Sequence, residues 1–241
     1  MIKKLLKKIL PAEKQFMLVS LKHTFTKFKQ THYSQNGEDI VVPSLFPTNY
    51  KGFYVDVGAH HPYRISNTYL LFKKGWVGIN IDPNPDTIRL FKKARPKDTN
   101  LNIGIGKEEA ELLYHRFKDP AVNTFSQKDA DFWKQKTWND YLGTTKVKVE
   151  PLGKVLEENL KENQKIDILS VDVEGLDLEV LQSSNWNKFR PSVVIVEAHD
   201  FVLEKMHEHP MYILLKEKGY ELKYVVKFSL IFTDNGFNKN L

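Results

Sequence analysis

The sequence predicts an α/β protein with one domain built on a mostly parallel sheet. Short runs rich in Val and Ile alternate with segments of helical apolar spacing, the pattern of repeated strand–helix–strand units. Polar residues follow several of these runs where each strand would end. The chain has 241 residues, of which 41% are hydrophobic and 27% charged, enough for one sizeable core. Together these observations exclude a disordered or fibrous chain.

The first element is a basic amphipathic segment over residues 1–30, and residues 31–241 form the predicted domain. The segment holds eight lysines and one glutamate, whereas the other 211 residues carry 28 basic and 29 acidic side chains. The net charge of +6 therefore belongs to the segment. Without a basic body to follow a phosphate backbone, we expect no nucleic-acid partner.

Residues 1–10 place five apolar side chains on one helical stripe, and Pro11 ends the pattern. Two interpretations stay open: the helix lies on an anionic membrane surface, or it packs on the domain or on a second subunit. The basic start lacks the long apolar stretch and small-residue cleavage site of a secretory signal. We expect a cytoplasmic protein, with the inner face of the membrane as the alternative.

The strands and helices alternate along the rest of the chain. Strands are predicted at 53–57, 77–81, 101–105, 166–171 and 192–196, and helices at 68–73, 86–93, 178–182 and 211–218. Two further strand-like runs, 220–226 and 229–234, have a very short connection and predict a terminal hairpin. An aromatic-rich insert at about 118–145 breaks the rhythm. It is read equally as a substrate wall or as a helix packed on the core.

The first strand ends in Asp56, Val57 and Gly58, followed by His60, His61 and Pro62. A dinucleotide site would need the glycine pattern G-x-G-x-x-G here, because those glycines let the backbone close on a pyrophosphate. S-adenosylmethionine has a sulfonium and an amino-acid tail in place of phosphates. A carboxylate beside one glycine suits that cofactor better, although an Asp-x-Gly by itself is also an ordinary strand-to-turn signal.

The second strand ends in Asp82, followed by Pro83, Asn84 and Pro85. A carboxylate at this point of a doubly wound sheet can accept hydrogen bonds from both ribose hydroxyls. The fourth strand is followed by a run of acids that includes Asp172, Glu174 and Asp177. Like charges at one strand end need a cation nearby, which a sulfonium, a metal or a lysine could supply.

Several segments jointly resemble the FkbM family of S-adenosylmethionine-dependent methyltransferases. They are YSQNGED at 33–39, DVGAHHP at 56–62, Ser66-Asn67-Thr68, Gly75-Trp76, DVEG at 172–175, and Arg190-Pro191 with Glu197. The likeness runs from about residue 31 to 200. It implies a Rossmann-like class I methyltransferase fold: a three-layer αβα arrangement with a seven-stranded sheet whose last strand is antiparallel. It also implies O-methylation, often of a sugar hydroxyl in a glycan or natural product.

The resemblance implies roles for individual residues. Asp56 and Gly58 would face the methionine and sulfonium part, Asp82 the ribose, and Asp172 the wall near the transferable methyl. Weaker candidates for the amino-acid tail are Ser34, Gln35 and Asn67. Ser66-Asn67 reads equally as a helix N-cap. Ile103 or Ile105 would lie against the adenine, and a core role is equally compatible with both.

An acceptor hydroxyl must lose a proton, and five groups at strand ends could accept it: His60, His61, Glu174, Glu197 and His199. His60 and His61 are also read as residues that hydrogen-bond their own turn. If a divalent metal activates the hydroxyl, its ligands would be Asp172, Glu174, Glu197 and His199. A reaction without a metal is favoured, because the positive charge of the sulfonium already balances the carboxylates.

Other function classes remain as alternatives. A nicotinamide oxidoreductase is disfavoured by the missing glycines. The absence of cysteine from the sequence excludes thiolate nucleophiles and thiolate metal sites. A non-catalytic interaction protein on a methyltransferase fold, and a metal-assisted O-methyltransferase of a small molecule that is not a sugar, are the alternatives that stay open.

Overall fold

The computed structural model describes residues 32–136 and 140–237. The predicted helix over residues 1–10 and its membrane or subunit contact lie outside the described residues, as does Trp138 of the aromatic insert. None of the helices formed by the described residues is long and apolar enough to cross a bilayer.

Strands and short helices alternate along the described chain. The strands are β1 (Phe53–Val57), β2 (Val77–Ile81), β3 (Thr99–Leu101), β4 (Gly104–Ile105), β5 (Ala110–Phe117), β6 (Tyr141–Glu150), β7 (Ile168–Val171), β8 (Val193–Glu197), β9 (Tyr220–Val226) and β10 (Ser229–Asp234). The α-helices are α1 (Glu38–Val41), α2 (Tyr69–Lys73), α3 (Pro85–Ala94), α4 (Gln127–Lys134), α5 (Leu152–Asn159), α6 (Asp177–Gln182) and α7 (Pro210–Glu217). The 3-10 helices are Val42–Leu45, Pro120–Val122 and Leu203–Glu208.

Seven strands form the main sheet in the order β3-β2-β1-β7-β8-β10-β9. The interior strand β1 pairs in parallel with β2 on one side and β7 on the other, so that Val55 lies opposite both Ile79 and Leu169. The last strand, β10, is antiparallel to both β8 and β9. The predicted mostly parallel seven-stranded sheet with an antiparallel last strand is confirmed.

Helices cover both faces of this sheet, because successive side chains of a strand point to opposite sides. Val55 and Val57 pack with the apolar residues of α5, α6 and α7. Tyr54, the residue before Val55, packs on the other face with Leu71 of α2 and with the 3-10 helix Val42–Leu45. Burial on both faces explains why the strands read as continuous apolar runs. The predicted three-layer arrangement is confirmed.

The prediction of one strand over residues 101–105 is wrong. The chain leaves the main sheet after Leu101, where the Asn102 side chain donates hydrogen bonds to the carbonyls of Asp82 (3.0 Å) and Pro83 (2.9 Å). Gly104 and Ile105 then pair with β6 in a second sheet of three strands, ordered β4-β6-β5. Asn102 therefore ends one sheet and the next residues begin another.

Candidate active site

A cavity opens at the carboxyl ends of β1, β2 and β7, where the order of the strands reverses around β1. Ligands of open α/β sheets bind at such a reversal point. Three parts of the chain line the cavity. The main sheet and its loops contribute Val57, Gly58, His60, Ile65, Ile81, Asp82, Pro83, Asp172, Val173, Glu174 and Leu176; the second sheet and the insert contribute Ile103, Gly104, Ile105, Tyr114, Pro120, Ala121, Asn123, Thr124 and Phe125; and the segment before α1 contributes Gln35.

Gly58 brings the β1 and β7 strand ends together. Its φ of +78° is in the left-handed region, which glycine adopts without steric cost. A β-carbon at this position would overlap the carbonyl oxygen of Asp172. The close approach of these two backbones forms one wall of the cavity, and Gly58 itself lines it.

Asp82 presents a buried carboxylate to the cavity. It accepts hydrogen bonds from the backbone N–H of His60 (2.9 Å, to Oδ2) and of Asn84 (2.8 Å, to Oδ1). Asn84 is fixed in turn because its side chain caps α3, accepting from the N–H of Asp86 at 3.1 Å. Burial raises the pKa of Asp82 to about 7. Each carboxylate oxygen keeps a second acceptor position, so the group can bind two neighbouring hydroxyls.

Asp56 lies behind the cavity wall. Its carboxylate accepts a hydrogen bond from the Thr68 hydroxyl at 2.5 Å, and the residue is 4% exposed. Burial raises the pKa of Asp56, and the Thr68 hydrogen bond opposes that rise. Asn67 is turned inward too, donating to the Ser170 hydroxyl at 3.1 Å. Neither side chain is part of the described cavity wall, so their placement does not support the predicted contacts with the methionine part.

The N-cap interpretation of Ser66-Asn67 is wrong. Thr68 is the residue that precedes the first residue of α2, and it makes no side-chain capping hydrogen bond. The Thr68 hydroxyl is used by Asp56 and by a buried arginine instead. This inward network competes with the local cap that the sequence suggested.

Ser34 and Gln35 have different positions. The Ser34 hydroxyl donates to Asp39 at 2.6 Å and accepts from the backbone N–H of Gly37 at 3.0 Å, and the residue is buried. Glu38 is pinned to the last strand, because its carboxylate accepts from the Ser229 hydroxyl at 2.7 Å. This network fixes the turn that presents Gln35, and of the two predicted residues Gln35 lines the cavity.

The apolar side of the cavity comes from the second sheet and the insert. Ile103 and Ile105 both line it, and Tyr114 of β5 packs against Phe125 with ring centroids 4.8 Å apart. Burial raises the pKa of Tyr114 above its ordinary range, so its hydroxyl stays neutral. Residues 120–125 of the insert are thus a cavity wall, which was one of its two interpretations. Tyr114 itself gave no signal in the sequence.

Four carboxyl groups lie near the end of β7. Burial and the charge of Glu197 raise the pKa of Asp172 well above its ordinary value. Although Glu174 is exposed at the cavity mouth, partial withdrawal of its carboxyl from solvent raises its pKa to about 7. Asp177 accepts from the backbone N–H groups of Val173 and Gly175, both at 3.2 Å, and therefore holds the turn.

The predicted proton acceptors do not all reach the cavity. His60 and Glu174 line it. His61 accepts the N–H groups of Tyr63 (3.1 Å) and Arg64 (3.2 Å) on Nδ1, as the turn interpretation predicted. Glu197 and His199 pair with each other at 3.1 Å between the Oε2 and Nε2 atoms and are not part of the described wall. Burial lowers the pKa of His60, which keeps its imidazole neutral and able to accept a proton.

The four residues that a metal would use do not form a metal site in the described chain. Across residues 32–136 and 140–237 no group of three or more His, Asp or Glu side chains could hold an ion. Asp172 and Glu197 are close enough for the charge of Glu197 to raise the pKa of Asp172, but among the described residues they are not part of a group of three or more possible ligands.

Sequence reasoning missed Arg95, which supports the loop after β1. The residue is fully buried, and its guanidinium donates to the carbonyl of Pro62 (2.7 Å) and to the hydroxyls of Thr68 (2.8 Å) and Ser66 (3.0 Å). Rings of Phe91 and other aromatic residues surround it. The arginine therefore fixes the second half of the loop between β1 and α2, directly after His60 and His61.

Comparisons with known proteins find a family that matches most of the chain. A sequence model of the methyltransferase FkbM domain matches residues 56–222. No curated protein matches the chain. Similar solved structures include a TehB-like SAM-dependent methyltransferase from Corynebacterium glutamicum, at 12% identity and a TM-score of 0.42, with 93% of this chain and 100% of that chain covered.

Two other structures are similar at comparable levels. Precorrin-6y C5,15-methyltransferase from Geobacter metallireducens has 10% identity and a TM-score of 0.39, with 88% of this chain and 94% of that chain covered. An O-methyltransferase from Bacillus cereus, solved in complex with SAH, has 9% identity and a TM-score of 0.37, with 93% of this chain and 91% of that chain covered.

Proposed function

The chain belongs to the FkbM methyltransferase family, and from this premise we propose that it methylates an acceptor hydroxyl with S-adenosylmethionine. The acceptor is a sugar in a glycan or another natural product. The sugar follows from the resemblance of the sequence segments, whereas the cofactor also has support from the geometry of the cavity.

Asp82 is the observation that carries the cofactor assignment. It ends the strand next to β1, lines the cavity, and is fixed by two backbone N–H groups that leave acceptor positions free. A carboxylate in this place is suited to the two hydroxyls of a ribose. Ile103, Ile105 and Phe125 line the same cavity, and their apolar side chains are suited to pack on the faces of a purine.

The remaining wall also fits the cofactor. Asp172 and Glu174 provide negative charge at the β7 end, which suits the sulfonium and the ammonium of the amino-acid tail. When bound, the cofactor supplies an electrophilic methyl group on a leaving group that is already activated. The protein therefore contributes mainly by holding the acceptor oxygen in line and by excluding water.

The proposed reaction requires one proton acceptor, and His60 and Glu174 are the two candidates. Of the five predicted groups, these two line the cavity. His60 is neutral near pH 7 because burial lowers its pKa, and Glu174 has a pKa of about 7, near the optimum for a general base at neutral pH. Either side chain would accept the hydroxyl proton as the new carbon–oxygen bond forms.

Calorimetric titration with S-adenosylmethionine and its demethylated product tests the cofactor assignment. We expect both to bind, and Asp82→Ala to weaken both by about tenfold or more, because charged hydrogen bonds are lost. Asp86→Ala is the matched control, since Asp86 lies on α3 with its side chain 52% exposed. No binding by the wild-type protein, or equal affinity in Asp82→Ala, would contradict the assignment.

Turnover tests the acceptor and the base. Nucleotide-linked and lipid-linked sugars form the first acceptor panel, with transfer of the methyl group followed by mass spectrometry. His60→Ala should remove a loss of rate at low pH if His60 is the base, and Glu174→Gln should do so if Glu174 is. EDTA should leave the rate unchanged if His60 or Glu174 is the base, and it should stop the reaction if a metal activates the hydroxyl.

A further inference from the structure

Residues 63–65 form an exposed tip at the cavity mouth that the proposed function does not use. All three side chains of this 63–65 tip are exposed, and they are Tyr63, Arg64 and Ile65. Ile65 also lines the cavity. The tip lies between the segments 56–62 and 66–68, so the sequence resemblance assigns it no role.

The backbone of the tip is held at both ends. Arg95 binds the Pro62 carbonyl at 2.7 Å and the Ser66 hydroxyl at 3.0 Å, and the N–H of Ser66 donates to the carbonyl of Tyr33 at 2.9 Å. His61 accepts the N–H groups of Tyr63 and Arg64. An exposed loop with this many anchors is preorganised, which lowers the entropy lost when a ligand binds.

Ile65 has a strained backbone. Its φ of +49° is in the left-handed region, which is a genuine outlier for a β-branched residue. Of the six described non-glycine residues with positive φ, three line the cavity: His60, Ile65 and Glu174. Such strain persists where the surroundings enforce it, and it gathers at functional sites.

Tyr63 is an oriented aromatic surface. Its ring contacts Tyr69 edge to face at a centroid distance of 5.3 Å, and Tyr69 packs on Tyr33 in the same way at 4.7 Å. Lys73 donates to the Tyr33 hydroxyl at 2.8 Å and closes this row of rings. Tyr63 as a residue is 45% exposed, although its ring packs against Tyr69 on one side. A fixed and half-open ring can pack against the apolar face of a ligand ring.

Arg64 adds positive charge to the tip. Within residues 32–136 and 140–237 its guanidinium has no acidic partner within ion-pair distance. Its backbone N–H donates to His61, and the next residue, Ile65, lines the cavity, so Arg64 lies beside the cavity mouth. Asp119 is an acidic residue near His60, since its charge acts to raise the His60 pKa. Its carboxylate accepts the backbone N–H of Ala121 at 3.1 Å. A free guanidinium is suited to phosphate and carboxylate groups.

We propose that the 63–65 tip recognises the acceptor, and that the acceptor carries a phosphate or carboxylate group beside the ring that packs on Tyr63. Arg64 binds the anionic group, Tyr63 the ring, and Ile65 closes the mouth above the cofactor. The inference rests on the proposed function, because it assumes that the cavity holds the cofactor. It narrows the acceptors to anionic ones.

Saturation-transfer NMR on the protein saturated with S-adenosylhomocysteine tests this inference without turnover. The probes are glucose 1-phosphate, glucuronate and methyl glucoside, which differ in their anionic group. We expect both anionic probes to bind more tightly than methyl glucoside. Arg64→Gln should weaken the anionic probes by about tenfold and leave methyl glucoside unchanged. A preference between glucose 1-phosphate and glucuronate identifies which anion the tip accepts.

Variants of Tyr63 test the ring contact. Tyr63→Ala should weaken all three probes, whereas Tyr63→Phe keeps the ring and should retain them. Tyr224→Ala and Lys223→Gln on the edge strand β9 are the controls and should behave as the wild type. Melting temperature and S-adenosylhomocysteine affinity equal to the wild type show that each variant is folded.

The outcomes separate this inference from the proposed function. If S-adenosylhomocysteine does not bind, the proposed function itself fails. If it binds but the anionic probes show no advantage, or Arg64→Gln and Tyr63→Ala leave every probe unchanged, the inference about the tip is overturned and the cofactor assignment stands.

Discussion

A β-carbon on Gly58 would occupy the place of the Asp172 carbonyl oxygen. The ends of β1 and β7 therefore approach as closely as backbone atoms allow. Gly58→Ala should destabilise the protein through both a left-handed φ of +78° and this overlap. Thermal unfolding measures the loss.

Gly143→Ala is the matched control for Gly58. Gly143 has a φ of +97°, but a β-carbon there meets nothing within 4 Å. It should show the conformational cost of about 1 kcal/mol alone. Equal losses for the two variants would show that the strand ends can separate without cost.

Asp82 should make the binding of adenosine depend on pH. Burial raises its pKa to about 7, so the carboxylate that we propose accepts the ribose hydroxyls is progressively protonated as the pH falls. Calorimetry should find adenosine bound about tenfold more weakly at about pH 6 than at about pH 8. Adenosine carries no sulfonium or amino-acid tail, so the acids near β7 have little effect. Asp82→Asn should abolish the dependence, and 2′,3′-dideoxyadenosine should not show it.

Arg95→Met should lower the free energy of unfolding by about 3–5 kcal/mol, because it removes the charged partner of a fully buried polar network. Urea denaturation measures this change. Arg89→Met on α3 is the control: its ion pair with Asp86 is exposed and should contribute less than about 1 kcal/mol. A small effect at Arg95 would mean that the loop after β1 is held by other contacts.

Ile65→Gly should raise the melting temperature or leave it unchanged, because glycine adopts a φ of +49° without strain. The same change removes the apolar side chain at the cavity mouth and should weaken the sugar probes. Opposite effects on stability and binding would show that the strain serves recognition. A lower melting temperature would instead assign Ile65 to the packing of the loop.

Local patterns predicted much of the fold. The bounds of β1, β2, β9 and β10 coincide with the predicted runs. In β1 and β2 the signal is a short run rich in Val and Ile that is buried on both faces, and in β9 and β10 it is two strand-like runs with a very short connection. The boundary at Asn102 could not be predicted in this way. Gly104 leaves the main sheet to pair with Val149, forty-five positions along the chain, and no local pattern contains that partner.

The site was predictable where one side chain acts alone at a strand end. Asp82 and Gly58 line the cavity, as their positions after β2 and β1 indicated. Asp56 was not predictable by the same argument. It precedes Gly58 by two positions, but Thr68 and Arg95, which lie far along the chain, form a buried polar network that its carboxylate joins. The position of a residue in the sequence predicts which strand end it occupies, but it does not predict which side chain will be its hydrogen-bond partner.

The cavity takes its acidic groups from one sheet and much of its apolar wall from another. Asp82, Asp172 and Glu174 follow strands of the seven-stranded sheet, whereas Ile105 and Tyr114 belong to the three-stranded sheet and Phe125 lies between two of its strands, β5 and β6. The second sheet therefore supplies this wall without contributing a strand to the seven-stranded sheet. Substitutions in this wall would change which ligand faces the cavity admits and would leave the acidic groups of the main sheet in place.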